Sequence, residues 1–415
     1  MDRSILPGRI RGICISPGSK SYAQRALAAS LLTEGTSVLH HIDFCNDTLS
    51  AISCIEALGA KVHRTGERSL TIEGGLRPQT DRLCVGESGL AARLFAPIAS
   101  LCRTPILIEG EGTLRHRPML PMLETLRQFG VQVRDGGGFL PIEICGPLRG
   151  GEVTVEDPIS SQFATGLLLA LPLACEETTI RVARPIATPY LDMTIDTARQ
   201  FGIEILHKDY QEFYIAGGQY YSPTEIEIES DWSAAALLLT AGAIAGQVTI
   251  RHLPTLSKQA DTAVMQAFVR SGAAVIDEGD TITVAHRPLQ AFSFDATHCP
   301  DLFPALAVLA AAANGTSIIR GTSRLENKEN NRAESLKEEF EKLGIEIDLE
   351  EEDVMKVQGG KILSGTVESH SDHRIAMALS IAGLAAEGPV TIEGAECVAK
   401  SFPDFFERLD ALRIR

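Results

Sequence analysis

The sequence predicts an α/β protein of two lobes, each built from three copies of one repeated unit. Three observations predict it. A glycine followed by apolar-x-apolar closes a helix-like stretch five times, at Gly59-Ala60-Lys61-Val62, Gly130-Val131-Gln132-Val133, Gly202-Ile203-Glu204-Ile205, Gly272-Ala273-Ala274-Val275 and Gly344-Ile345-Glu346-Ile347. These glycines stand 70 to 72 residues apart, and a fixed period marks repeated structural units. Each period carries the same order of parts, and 415 residues exceed one comfortable core, so six units divide into two lobes of three.

The parts of a unit follow from their patterning. First comes an Ala- and Leu-rich helix, as in Ala23 to Leu32, Ala164 to Ala174 and Ala234 to Ala245. A glycine turn then leads a short strand, as in Gly35-Thr36-Ser37-Val38-Leu39, Gly246 to Ile250 and Gly315 to Ile319. An amphipathic helix comes next, as in Leu336 to Leu343, and ends on the repeated glycine. Glycine suits a helix end because it takes the left-handed conformation without a Cβ penalty. The apolar-x-apolar tail alternates as a half-buried strand does, and further strands follow, such as Leu70 to Glu73 and Thr281 to Val284. A sixth helix begins at Phe405-Phe406-Glu407, where the chain stops. The expected division is 13–229 for the N-terminal lobe, and 1–12 plus 230–415 for the C-terminal lobe. The N-terminal dozen residues are expected to complete the sixth unit. Two crossings, near Ser16-Pro17-Gly18 and near Ser230, would make a hinge with an active site in the cleft between lobes.

Composition excludes several classes. A hydrophobic content of 44% with 22% charged residues fits a soluble globular protein. No apolar run is long enough to span a bilayer, and the start is no signal peptide, so a cytoplasmic protein with no membrane partner is expected. Nine scattered cysteines without a C-x-x-C pair argue against a metal site or a disulfide framework. A net charge of −16 argues against nucleic acid. An anionic ligand must therefore be held by local cations.

Such cations gather at helix starts. Ser16-Pro17-Gly18-Ser19-Lys20-Ser21 feeds a helix whose Ser21 and Arg25 share a face. Free N–H groups and the positive dipole end make a helix start an anion site. The same grammar recurs at Gly86 to Arg93, at Leu114-Arg115-His116-Arg117-Pro118, and at Ser160-Ser161-Gln162-Phe163. It recurs again at Asn327 to Arg332, at His370-Ser371-Asp372-His373-Arg374, and at Ala399 to Asp404. Each alone is more commonly an ordinary capped helix with solvated charges. Pointed into one cleft, they would hold a substrate with several anionic groups. Two carboxylates stand among them. Asp301 leads the apolar helix Leu302 to Ala313 and reads equally as a cap; Glu329 lies between Lys328 and Arg332 and reads equally as a surface ion pair.

Together these motifs resemble the 5-enolpyruvylshikimate-3-phosphate synthases, in the family order and over nearly the whole chain. The resemblance rests on Pro17 to Ser21 with Arg25, Ser160-Ser161-Gln162, Pro300-Asp301, Lys328-Glu329 with Arg332, Asp372-His373-Arg374, and Ala399 to Asp404. It implies a two-lobed inverse α/β barrel of the enolpyruvyl-transferase type, working as a monomer without metal or cofactor. It implies transfer of the carboxyvinyl group of phosphoenolpyruvate to the 5-hydroxyl of shikimate 3-phosphate, with release of phosphate. Shikimate 3-phosphate would be held by Lys20, Ser21, Arg25, Ser160, Ser161, Gln162, Tyr190, Asp301 and Lys328. Phosphoenolpyruvate would be held by Lys20, Gly89, Arg117, Gln162, Arg332, Arg374 and Lys400. Asp301 would take the 5-hydroxyl proton, Glu329 would protonate the methylene carbon, and Lys20 would assist both substrates. A glutamate among cations should have a lowered pKa and so hold no proton to give, and burial or bound phosphoenolpyruvate would have to restore its affinity for one. The resemblance also implies inhibition by glyphosate, a competitor of phosphoenolpyruvate.

The chain departs from the family pattern at Glu87 and Leu90, where the family has Asn and Thr around its glycine. It departs again at Ala187, a family serine, and at Arg324, an asparagine in some members. The related UDP-N-acetylglucosamine carboxyvinyltransferases fit less well. They have Lys-Asn where this chain has Lys20-Ser21, and commonly a reactive cysteine in the loop matching Thr113 to Pro118. A non-catalytic repeat protein that binds an anionic metabolite would not need Asp301, Glu329 and Lys20 together.

Overall fold

A computed structural model describes residues 1–155, 161–185 and 187–414. The chain divides into two compact units, one of Gly18–Ile228 and one of Met1–Pro17 with Glu229–Arg415. Among the described residues there are six sheets, and their strand orders are variations on one plan. In the five four-stranded sheets two strands pair in parallel and a hairpin extends one of them antiparallel, and in the three-stranded one a single antiparallel strand takes the place of the hairpin. In the second repeat, Arg82–Cys84 runs parallel to Ile106–Glu109, which pairs with Ile142–Cys145, which pairs with Gln132–Asp135. A helix precedes each inner parallel strand and another follows it, so the repeat is βαβαββ.

The first helix of each repeat is buried all round. Those of the N-terminal unit are Lys20–Leu31, Gly89–Ala99 and Ser161–Ala170. Those of the other unit are Trp232–Ala245, Phe303–Ala311 and His373–Leu384. Their Ala- and Leu-rich composition lets them pack together at the centre of each unit. The second helices, such as Leu120–Gln128 and Arg332–Lys342, are amphipathic and lie nearer solvent. All five repeated glycines sit one residue past the helix C-cap with positive φ, between 77° and 121°. Each amide bonds three residues back and the next amide five back, as in Gly344 N to Glu341 O and Ile345 N to Phe340 O, both 3.0 Å. This is the Schellman ending that the sequence pattern anticipates, and the residue after each glycine is buried.

Two details differ from expectation. Residues 13–17 fall with the C-terminal unit, and so does Glu229. The cause is the strand Ile10–Ile15, which pairs in parallel with Gly246–Arg251 along its whole length. Of the N-terminal dozen, only Arg3–Ile5 completes the sixth sheet, antiparallel to Val390–Glu393. The strand Ile10–Ile15 completes the fourth sheet instead. Its counterpart Glu225–Glu227, which leads into the C-terminal unit, pairs with Thr36–His40 of the N-terminal unit. In the third repeat, strand structure begins at Leu206 rather than at Ile203. There the Gln219 amide takes the Glu204 N–H (2.8 Å) and gives to the Glu204 carbonyl (3.0 Å), so that residue needs no strand partner.

Candidate active site

The predicted residues separate into two sets, one in each unit, and each set is internally connected. In the N-terminal unit, the starts of the three buried helices meet through side chains. Arg25, 1% exposed, is spent on neutral acceptors. Its Nε bonds Thr194 (2.9 Å), its Nη1 the Ser21 carbonyl (2.7 Å), and its Nη2 Thr165 (3.0 Å) and the Tyr190 carbonyl (3.1 Å). Burial pushes its pKa down to about 10. Arg25 thus ties the first helix to the third and holds Ser21 and Tyr190 beside it. Lys20 pairs with Asp47 at 2.9 Å. Ser19 caps the helix by accepting the Tyr22 N–H. Gly18 is forced, because a Cβ there would lie 1.9 Å from the His41 carbonyl oxygen.

The second cluster of this unit centres on Gly89. Arg93, one turn along the helix, bonds the Gly89 carbonyl (3.1 Å), Gln162 Oε1 (3.4 Å) and the Pro118 carbonyl (3.1 Å). Arg117 lies against it. Burial, and then the Arg117 charge, push the Arg93 pKa down to about 9. The buried Nε of Arg117 makes no hydrogen bond among the described residues. Two guanidiniums side by side, with no carboxylate bonded to either among the described residues, form a setting that favours an anion. Arg93 was missed as a site residue in the sequence. Its only signal was the i,i+4 spacing from Gly89, and it sits among apolar helix residues. Ser161 opens the third helix, and Ser160 lies outside the described residues.

The C-terminal set is a dense ion network. Asp301 Oδ1 meets Lys328 Nζ (3.1 Å) and Arg332 Nη1 (3.0 Å), and its Oδ2 meets Arg374 Nη2 (3.2 Å). Burial raises its affinity for a proton, but Arg374, Lys328 and Arg332 outweigh burial and hold it well below the usual carboxylate range. Glu329 pairs with Arg332 Nη2 (2.7 Å) and Lys400 Nζ (3.3 Å). Arg332 is fully buried and also bonds Asp372 through Nε at 2.8 Å. Asp372 caps the helix His373–Leu384 by accepting the Arg374 N–H at 2.8 Å. All six predicted residues of this unit, Asp301, Lys328, Glu329, Arg332, Arg374 and Lys400, therefore join one network.

Asp261 is an addition to this set. It is 2% exposed and accepts the Ser233 hydroxyl, while its buried Oδ1 has no hydrogen-bond partner among the described residues. Burial and then the charge of Asp301 push its pKa up to about 7, against the pull of Arg374. A carboxyl raised in the folded state makes the protein lose stability as pH rises from about 4 to about 7, because the unfolded chain releases that proton first. Asp261→Asn keeps the Ser233 bond and removes the ionisation. Its stability is expected to fall less than wild type between pH 4 and 7, as read by denaturant titration at each pH. Parallel curves would remove Asp261 from this role.

Comparison with known proteins gives a single answer. A family model described as EPSP synthase (3-phosphoshikimate 1-carboxyvinyltransferase) matches residues 6–409. A 3-phosphoshikimate 1-carboxyvinyltransferase of Methanocorpusculum labreanum is 35% identical over 410 residues, covering 97% of this chain and 96% of its own. One of Aeropyrum pernix is 35% identical over 416 residues, covering 100% and 96%. The solved EPSP synthase of Acinetobacter baumannii superposes with a TM-score of 0.85 at 28% identity, covering 99% of this chain and 98% of that one. The enolpyruvyl transferase NikO of Streptomyces tendae shares the fold, with a TM-score of 0.79 at 19% identity over 99% of this chain and 96% of its own.

Proposed function

The chain belongs to the EPSP synthase family and transfers the enolpyruvyl group of phosphoenolpyruvate to shikimate 3-phosphate, and from that premise we propose that its two helix-end clusters are the two halves of the active site. The observation that carries the reading is Asp301, one carboxylate drawing three cations. Arg332 is shared with Glu329 and Asp372, but Lys328 and Arg374 form ion pairs with Asp301 alone among the described residues, and theirs is charge that substrate phosphates and carboxylates can share.

In this reading Lys20, Ser21, Arg25, Ser160, Ser161, Gln162, Tyr190 and Lys328 hold shikimate 3-phosphate. Lys20, Gly89, Arg117, Gln162, Arg332, Arg374 and Lys400 hold phosphoenolpyruvate, with Arg93 supporting Arg117. Asp301 takes the proton of the 5-hydroxyl as that oxygen bonds C2 of phosphoenolpyruvate, while Glu329 gives a proton to C3. The tetrahedral adduct then loses a proton from the new methyl group and expels phosphate, which restores the carbon–carbon double bond. A strongly ionised Asp301 is a weak base by itself. Bound substrate anions offset Arg374, Lys328 and Arg332, which raises its basicity at the moment of use, and the same charges keep a proton on Glu329. One chain supplies both sets, so we take the working enzyme as a monomer. Its nine cysteines are free thiols, which fits a cytoplasmic setting. No helix of the described residues is long and apolar enough to cross a membrane.

Mixing protein, shikimate 3-phosphate and phosphoenolpyruvate should release phosphate, and Asp301→Ala, Glu329→Ala and Lys20→Met should abolish most of that release. Full release by all three variants would overturn the assignment. Because the chain passes between units only at Pro17–Gly18 and Ile228–Glu229, the units are expected to close on substrate. Solution scattering should report a smaller radius of gyration with shikimate 3-phosphate; an unchanged radius with binding confirmed counts against closure.

Gly89 gives a sharper test. A Cβ there would lie 2.5 Å from Arg117 Nη1 and 3.1 Å from Arg93 Nη1, so Gly89→Ala must displace the anion-holding guanidiniums. Phosphoenolpyruvate should still bind, more weakly, whereas the longer glyphosate should lose more. The ratio of the glyphosate inhibition constant to the phosphoenolpyruvate KM is expected to rise at least ~10-fold, about 1.4 kcal/mol of discrimination. An unchanged ratio would mean that Gly89 does not border the phosphoenolpyruvate pocket.

A further inference from the structure

We propose that Glu339, with Lys342 and His370, forms a clamp behind the substrate groups that fixes the turn at residues 369–372 and so positions Asp372 and Arg374 for phosphoenolpyruvate. This rests on the site reading above, in which Arg374 holds that substrate.

Glu339 lies seven residues, two turns, along the helix Arg332–Lys342 from Arg332. It is fully buried, and three donors converge on it. Its Oε1 accepts Lys342 Nζ (2.7 Å) and His370 Nε2 (2.6 Å), and its Oε2 accepts the Glu368 N–H (2.8 Å). A buried carboxylate is tolerable only when so supplied. Facing a carboxylate, His370 must carry its proton on Nε2. Glu338, Glu339 and His370 stand close enough to hold a metal ion. Yet Lys342 bonds both carboxylates, at 3.1 and 2.7 Å, and supplies the positive charge there itself.

The turn needs such a hold. His370 and Ser371 both have positive φ, 50° and 55°, a left-handed pair without glycine. Such residues are strained and persist only where their surroundings over-determine them. Here the Asn330 amide donates to the His370 carbonyl (2.9 Å), and the Ser369 hydroxyl donates to the Gly394 carbonyl (3.0 Å). One helix grips the turn at both ends: Arg332 holds Asp372 at 2.8 Å, and Glu339 holds His370 at 2.6 Å. Asp372 in turn fixes the start of the helix that carries Arg374. A slack turn would leave the cation present but misaimed, and misaimed binding groups cost affinity for their own ligand first.

The test compares E339Q, H370A and H370Q by steady-state kinetics. Glutamine has one acceptor where three donors arrive, so E339Q loses charge-assisted bonds at His370. Its KM for phosphoenolpyruvate is expected to rise about tenfold, with KM for shikimate 3-phosphate changed less than about twofold. H370A should do the same, and H370Q, whose amide N–H reaches the same carboxylate, should recover to within about threefold of wild type. The double variant E339Q/H370A should be no worse than the worse single one. A merely structural role would lower melting temperature and either lower kcat alone, through loss of active enzyme, or raise both KM values equally. Unchanged phosphoenolpyruvate KM in folded E339Q, an equal rise in both KM values, or H370Q as impaired as H370A overturns the clamp. If E339Q does not fold, the His370 pair still decides. R374Q in the same assay separates the two readings. A raised phosphoenolpyruvate KM there leaves the site standing and any failure with the clamp, whereas an unchanged KM fails the site and takes the clamp with it.

Discussion

Asp301→Ala is expected to lower turnover at least ~10²-fold in a protein that stays folded, as does loss of a group acting as base in the transition state. The network around it gives the result a signature. Removing the carboxylate leaves Lys328, Arg332 and Arg374 with one anion fewer to share. Anionic substrates then compete with less, so KM for phosphoenolpyruvate should stay level or fall while kcat collapses. Asp301→Asn should behave alike, because it keeps the shape and loses the base. Glu329→Ala and Lys20→Met should also lose at least ~10²-fold in kcat. A folded Asp301→Ala enzyme of near-normal turnover, or one whose loss lies wholly in KM, would take Asp301 out of the proton-transfer role.

Arg332→Met is expected to cost stability as well as activity. Arg332 is fully buried and joins Asp301, Glu329 and Asp372. Burial lowers its hold on its proton, yet those three carboxylates more than restore it. Removing one partner of a buried ion network costs about 3–5 kcal/mol, because the remaining charges are left uncompensated. The loss should depend on pH. A carboxyl depressed by folding, as Asp301 is, gives stability that is full above its unfolded pKa and fades as pH falls through the folded one. The gap between wild type and Arg332→Met should thus be largest near pH 7 and narrow below about pH 4. Denaturant titrations at both ends measure it. A gap under about 1 kcal/mol at pH 7, or one indifferent to pH, would show that Arg332 does not hold this network together.

Much of this was readable from the chain because the repeat writes it several times. The five glycines announce five helix endings, and each has the left-handed conformation the pattern demands. The polar residues at helix starts were legible because they interrupt otherwise apolar runs. What escaped the sequence shares a physical cause, which is dependence on distant partners. Arg93 reads as a charge inside an apolar helix until Gln162 and Pro118 are brought beside it. Asp47 is an unremarked helix residue until Lys20 reaches it. Asp261 and Ser233 are separated along the chain and acquire meaning only as a buried pair. The strand Ile10–Ile15 departs from expectation for the same reason. Nothing in Ile10–Ile15 states that its partner is Gly246–Arg251.

That pairing governs the order in which the molecule can be completed during synthesis. The unit Gly18–Ile228 is one uninterrupted stretch, so every strand it needs has been made once Ile228 is translated. The other unit must wait. Its first strands are made first, but Ile10–Ile15 finds its partner only at Gly246–Arg251, and Arg3–Ile5 only at Val390–Glu393. At about 5–20 residues per second, Ile10–Ile15 stays unpaired on the ribosome for roughly 12–47 seconds and Arg3–Ile5 for roughly 20–80 seconds. The two ends of this sequence lie close together, with Ile10 bridged to Arg413. A permuted gene that joined those ends and opened between Ile228 and Glu229 would make both units contiguous; Arg3–Ile5 would then follow its partner within a few tens of residues, while Ile10–Ile15 would still come roughly 175 residues after Gly246–Arg251.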